Sequence, residues 1–345
     1  MKAAVLQKVE QLVVKEVPDP ELEDGSVIIK VKICSICSTD LRIYHYGHTR
    51  IKLPHILGHE IAGEIEVVGE GVTNHKAGDR VAITPRIPCG RCFYCRKGQY
   101  IYCLNSLSFG YQLPGGYAEY LYVPRRGIEF GVVNRIPDGV SFEAAALAEI
   151  LACCLRAQKT SRVSRGDVVV VIGGGAVGIV HCRLAKANDA ARVILVERET
   201  KRLEQVNLDS IDQIVDSKKG DAGEEILAIT DGRGADVIIV ACSSAQAQEQ
   251  SLSLASRGGR VNFFGGLPPD QSNISIDSNL VHYREVSIQG SHGSTPDDNR
   301  EALDMLGRGL LSIDDLITDK FSLDSIKEAF LFAQSRKGMH VAMLP

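Results

Sequence analysis

The alternation of apolar and polar positions changes character once along the chain, near residue 140. Before that point, short runs such as 27–32 and 117–123 carry the β-branched and aromatic residues that suit strands. Turn signals separate them: Pro18-Asp19-Pro20, Asp24-Gly25, Ala77-Gly78-Asp79, Pro114-Gly115-Gly116 and Pro137-Asp138-Gly139. The pattern predicts an all-β, barrel-like unit over residues 1 to about 136.

From Ser141 the texture is different. An alanine-rich run to Gln158 reads as a buried helix capped by Ser141, without the capping-box glutamate. Strands and helices then alternate. Strands are expected at 168–172, 192–197, 213–216, 236–241 and 260–264. Helices are expected at 176–188, from Glu199, at 222–229 and at 246–256. The run 168–172 is wholly apolar, as in a parallel strand covered on both faces. This alternation predicts a doubly wound parallel sheet. The tail adds helices near 297–306 and 324–334 and a closing strand at 339–344.

A chain of 345 residues, 44% hydrophobic and 24% charged, has material for two folded domains. A net charge of −4 gives no sign of a nucleic-acid partner. The uncharged stretch 168–180 is too short and too glycine-rich to span a bilayer. The first residues lack a signal-peptide core, so a cytoplasmic protein is expected. Ten cysteines then become informative, because in a reducing compartment clustered thiols point to metal rather than disulfides.

Three groupings carry chemistry. The strand at 168–172 runs into Gly173-Gly174-Gly175-Ala176-Val177-Gly178, a G-x-G-x-x-G turn. Gly173 permits the tight turn, Gly175 a close approach to pyrophosphate, and Gly178 close packing of helix on sheet. Glu197 ends the next strand, where a carboxylate accepts ribose hydroxyls and repels a 2′-phosphate. NAD is therefore preferred to NADP, although Arg198 is a cation suited to that phosphate. Second, Cys89-x2-Cys92-x2-Cys95-x7-Cys103, in a lobe at about 86–105, offers four thiolates for a closed structural zinc; an iron–sulfur cluster is the alternative. Third, Cys37, His59, Glu60 and Glu149 offer a thiolate, an imidazole and carboxylates, the donors of a catalytic zinc with an open position. Cys34, Cys153, Cys154, Cys182 and Cys242 read as small packing residues.

With these residues in view, the sequence resembles the zinc-dependent medium-chain dehydrogenase/reductase family. Gly58-His59-Glu60, followed by Gly63, Gly69 and Val72, matches its G-H-E-x2-G-x5-G-x2-V signature, and the other motifs fall in the family order. The resemblance implies a GroES-like β-barrel catalytic domain at 1–150 and 291–345, with a Rossmann NAD-binding domain at 151–290 between them. It implies two zincs per chain, Cys37, His59 and Glu60 as catalytic ligands, and Glu149 as an acid beside the metal. Thr39 is implied as the hydroxyl that passes the alcohol proton outward. Val177, Glu197 and Arg202 are implied as NAD contacts, with Phe264-Gly265-Gly266 and His292-Gly293-Ser294 flanking the nicotinamide.

The stretch 148–154 is similar to the polyol branch, that of sorbitol and L-iditol 2-dehydrogenases, with Ile150 where that branch has proline. The implied activity is oxidation of a secondary alcohol, polyol or cyclitol-like, with reversible ketone reduction. An L-threonine dehydrogenase-like or general secondary-alcohol dehydrogenase is the alternative. A non-catalytic dinucleotide and metal binder on the same fold is the reading from another class. Ile43, Gly293 and Ser294 replace polar residues of sorbitol dehydrogenases, and Arg42 stands where the family commonly has histidine. Relatives imply a homodimer or homotetramer, with the strand 260–264 at the interface.

Overall fold

The computed structural model describes the backbone of residues 1–345 and every side chain except that of Pro269. The first strands are β1 (Lys2–Lys8), β2 (Gln11–Glu16), β3 (Val27–Ser35), β4 (His55–Ile56) and β5 (Glu60–Val68). They are followed by β6 (Arg80–Ile83), β7 (Arg86–Ile87), β8 (Leu107–Ser108), β9 (Tyr120–Val123) and β10 (Val133–Arg135). After the long helix Phe142–Thr160 come β11 (Val168–Ile172), β12 (Arg192–Glu197), β13 (Gln213–Asp216) and β14 (Ala235–Val240). The last four are β15 (Ala255–Phe263), β16 (Ser287–Gly290), β17 (Ile317–Ser322) and β18 (His340–Leu344).

Met1–Ala152 together with Gly293–Pro345 form one compact unit, and Cys153–His292 another. In the first, a sheet ordered β10-β6-β5-β3-β18-β17, with β9 also paired to β3, is joined by the smaller sheets β2-β1-β4 and β7-β8. Alternate residues of these strands point inward, so Leu6, Ile29, Ile61, Ile65 and Ile83 are fully buried in one core with Tyr117 and Phe109. The β18 strand closes the barrel from the far end of the chain, pairing Met343 with Cys34 of β3.

Helical elements depart from the all-β expectation for this stretch: the short turns Phe93–Arg96, Tyr100–Tyr102 and Arg125–Glu129, and one longer helix. Ser38–Tyr46 is a helix whose N-cap is Cys37, and the Cys37 amide donates to the Asp40 carboxylate. Its opening Ser-Thr-Asp reads equally as a turn, and only the reciprocal Asp40 contact starts a helix there.

The second unit is a parallel sheet ordered β13-β12-β11-β14-β15-β16. The order reverses beside β11, and ligands of such sheets bind at the carboxyl ends of strands at that switch point. Three expectations need correction here. The helix from Glu199 is a short 3-10 turn, Thr200–Gln205, because Glu197 takes the amides of Arg198 and Glu199 and tightens the chain. The helix expected to reach residue 256 ends at Leu254; Ala255 already pairs with Ala235 across a bulge through Gly258 and Gly259. The strand at 260–264, expected at an interface, is covered by β16, which is the sheet edge.

Candidate active site

Cys37 caps the helix Ser38–Tyr46, His59 precedes β5 and Glu60 begins it. The register that pairs Ser35 with Glu60 carries all three to the same end of the barrel. One ligand atom from each lies within 4.8 Å of the other two. His59 is 7% exposed and Glu60 fully buried, and Glu60 Oε1 has no hydrogen-bond partner among the described residues.

Burying a carboxylate with an idle oxygen is costly unless a cation neutralises it. The Cys37 thiol tells the same story, since burial and then the Glu60 carboxylate push its pKa up, against His59. The three donors therefore fit a divalent cation of zinc type. Burial disfavours the His59 imidazolium, but the Asp40 and Cys37 charges outweigh it among these protein groups and hold its pKa well above the ordinary value.

Two partners behind these ligands, one buried and one partly buried, escaped the sequence reading. Asp40 Oδ1 lies 3.4 Å from His59 Nδ1, and His340 Nε2 lies 2.7 Å from Glu60 Oε2. Such contacts orient metal ligands and tune their basicity. Asp40, fully buried, also accepts a bond from the Tyr117 hydroxyl at 2.9 Å. Its signal was present in the Cys-x-Thr-Asp segment; His340 had none, being 280 residues from Glu60.

Tyr111 was missed as well. Its ring centroid is 5.9 Å from that of His59, and its hydroxyl pKa is raised first by burial, with the Cys37, Asp40 and Glu149 charges adding to it. Glu149, on the helix Phe142–Thr160, is buried but lies outside the tight three-residue group. Thr39 is half-buried on the helix after Cys37, and Arg42 Nη2 donates to its hydroxyl at 3.4 Å.

The four-cysteine lobe is gathered as tightly. Sulfur atoms of Cys89, Cys92, Cys95 and Cys103 all lie within 4.8 Å of one another. Cys89–Cys95 and Cys92–Cys103 are each 3.9 Å apart. That is far beyond a disulfide bond and close to the roughly 3.8 Å edge of a tetrahedron with 2.3 Å metal–sulfur bonds. Backbone amides of Cys95 and Leu104 bring the Cys92 thiol down to about 6, whereas burial pushes Cys95 up to about 12.

In the other unit, β11 enters the glycine turn with Gly173 at φ +110°, a conformation that excludes larger residues. A Cβ on Gly178 would sit 1.8 Å from the Gly173 carbonyl oxygen. Gly175 is the N-cap of the helix Ala176–Ala187 and has no side chain to cap it, so the first amides remain donors for an anion. Glu197 Oε2 accepts the Gly174 amide, and Oε1 accepts those of Arg198 and Glu199, each at 2.8 Å. Arg202 lies beside the turn: its Nη1 would be 3.8 Å from a Cβ on Gly175. Val177 is half-buried on the first helical turn. Phe264 packs edge-on against His181 with centroids 4.7 Å apart, Gly265 lies tight against the Cys242 backbone, and Gly266 is open. His292 ends this unit, whereas Gly293 and Ser294 begin the returning part of the other.

A glycine turn with free helix amides in one unit and a Cys–His–Glu ligand set in the other define a class, the metal-assisted nicotinamide oxidoreductases. Comparison with known proteins carries this further. Residues 23–137 match the alcohol dehydrogenase GroES-like domain, and residues 176–308 match the zinc-binding dehydrogenase domain. The chain is similar to the L-threonine 3-dehydrogenase of Pyrococcus abyssi, with 35% identity over 97% of this chain and 95% of that protein. It is also similar to the sorbitol dehydrogenase of Bacillus subtilis, with 32% identity over 95% and 92%. A crystal structure of a zinc-binding dehydrogenase of Sinorhizobium meliloti bound to NADP superposes with TM-score 0.90 and 32% identity, covering 100% of this chain and 99% of that one. The chain belongs to the zinc-dependent medium-chain dehydrogenase/reductase family, on a polyol dehydrogenase-like branch. It is an oxidoreductase of CH–OH groups, with a GroES-like domain and a Rossmann domain.

Proposed function

We propose that the protein oxidises a polyol or cyclitol-like secondary alcohol to its ketone with NAD, reversibly, using Cys37, His59 and Glu60 to hold a catalytic zinc. The observation that carries this reading is the convergence of those three donors on one buried point, with an idle Glu60 oxygen. Bound there, zinc would lower the pKa of an alcohol and stabilise the negative charge developing on its oxygen. Thr39 Oγ1 passes the hydroxyl proton outward, and a nicotinamide held at the glycine turn would supply the acceptor for the hydride of the carbinol carbon. Asp40 and His340 hold His59 and Glu60 in orientation, and Glu149 supplies a second carboxylate close to the reacting oxygen.

The amides after Gly175 fit the coenzyme pyrophosphate, together with the close packing at Gly173 and Gly178. Val177 and Arg202 flank the adenosine half, and Phe264, Gly265, Gly266, His292, Gly293 and Ser294 supply the surroundings of the nicotinamide. Glu197, pinned by three amides at the end of β12, supports NAD over NADP. A second, structural zinc belongs to Cys89, Cys92, Cys95 and Cys103. The working form is a cytoplasmic homodimer or homotetramer.

A panel of sorbitol, other polyols, inositol-type cyclitols, 2-butanol and L-threonine with NAD and NADP, following reduced nicotinamide, tests the reading. Turnover of secondary alcohols with NAD at least ten times more efficient than with NADP is the expected result. Tight NAD binding without turnover of any alcohol would overturn it. L-threonine is included because of the Pyrococcus relative, and an amino alcohol as the best substrate would replace the polyol reading.

A further inference from the structure

The ligand group has a cationic flank that the reaction just described does not use. Arg42 follows Thr39 by one helical turn, and Arg50 lies in the segment after that helix. Between them stands His48, whose Nδ1 accepts the Arg50 amide at 3.1 Å. The His48 pKa is lowered first by partial desolvation and then by the charges of Arg50 and Arg42, so the three side chains share one local field. All three are exposed, and none has a carboxylate partner among the described residues.

Tyr111 connects this flank to the metal ligands. The Arg50 guanidinium lies 5.5 Å from the Tyr111 ring centroid, and the His48 ring stands edge-on to Tyr111 at 5.3 Å. The same Tyr111 ring packs at 5.9 Å from His59. On the other side, Arg42 Nη2 reaches Thr39 Oγ1 at 3.4 Å. Two guanidiniums thus reach the ligand group, one through the proton-passing hydroxyl and one across a single aromatic ring. Ile43 beside them is buried in the barrel core and offers no atom to a neutral hydroxyl.

We infer that the substrate is a secondary alcohol carrying an oxyanion, a carboxylate or a phosphate ester, which Arg42 and Arg50 bind while its carbinol faces Cys37, His59 and Glu60. Guanidinium forks suit these planar or tetrahedral oxyanions, and among the described residues neither arginine has an ion pair to break before binding. The inference rests on the dehydrogenase reading above and narrows its substrate. Because both arginines are exposed, the recognition weakens as salt is added.

The test uses the zinc-loaded full-length enzyme with NAD and two matched pairs, sorbitol against sorbitol 6-phosphate and 2-butanol against 3-hydroxybutyrate. In at least one pair the anionic member is expected to have a kcat/KM ten times or more that of its neutral partner. That advantage should lie mainly in KM and shrink between 50 mM and 500 mM NaCl. Arg42→Gln and Arg50→Gln should each reduce the anionic-to-neutral ratio five-fold or more, and Arg50→Lys should restore part of it. Advantage in the phosphate pair or in the carboxylate pair alone supports the inference and names the oxyanion. Equal turnover of both members in both pairs overturns it while leaving the dehydrogenase reading intact, as does a preference that survives both Gln replacements. No turnover of any of the four alcohols overturns the inference, and the dehydrogenase reading falls with it only if the wider panel of polyols, cyclitols and L-threonine is inert too.

Discussion

The charges at the Cys37, His59 and Glu60 group decide what it tolerates. Asp40 is fully buried, faces His59 and accepts bonds from the Cys37 amide and the Tyr117 hydroxyl. Replacing it by Asn keeps the shape and removes the charge behind the imidazole. We expect Asp40→Asn to weaken zinc binding or turnover about 10–100-fold, the usual cost of losing such a support, with titration against a zinc chelator as the measurement. Cys37→Ser should be more severe. Turnover of every alcohol should vanish while NAD affinity, read by nucleotide fluorescence, stays within about two-fold, because the glycine turn lies in the other unit. Full activity in zinc-free Cys37→Ser would overturn the assignment.

Within elements, the helix Ala176–Ala187 shows how packing and titration combine. His181 is fully buried against Phe264, its Nε2 has no hydrogen-bond partner among the described residues, and burial brings its pKa down to about 3. The unfolded chain takes up a proton near its ordinary value of about 6.5, and the folded one does not until about pH 3. The sign follows: His181 contributes stability above pH 6.5 that is lost progressively as pH falls toward 3. Thermal melts of His181→Leu at pH 7, 5.5 and 4.5 should show a shallower decline than the parent. On the same helix, Gly178→Ala would press a methyl against the Gly173 carbonyl and should cost about 1–3 kcal/mol in denaturant melts. The four-cysteine lobe is a separate element. Metal analysis should return two zincs per chain for the parent and one for Cys92→Ser, whose melting temperature should fall before kcat changes.

Across the whole molecule, what was legible in the sequence is what is local. The switch from period-two strands to alternating strands and helices gave an all-β unit and a doubly wound parallel sheet, and the family resemblance implied that these are GroES-like and Rossmann domains, which the family matches support. Four cysteines within one short segment need no distant partner to meet, and a G-x-G-x-x-G turn is made by its own backbone. The interfacial strand was misplaced because sheet order is not written locally: only the pairing of β16 with β15 shows which strand lies at the edge. The helix Ser38–Tyr46 was missed because a cysteine is an unusual cap, and its start depends on Asp40 turning back.

Cys37, His59 and Glu60 could be named from motifs, but motifs do not bring side chains together. That is done by the pairing of β3 with β5, and the return of the chain as β18 brings His340 to Glu60. Tyr111, His48 and Arg50 likewise form one flank only through ring packing between segments that carry no shared pattern. The sequence alone therefore determined the class of chemistry, because ligand types and glycine turns are properties of residues and short spacings. The tertiary structure decided the orienting partners and the cationic flank, because contacts between distant segments depend on barrel closure and strand register.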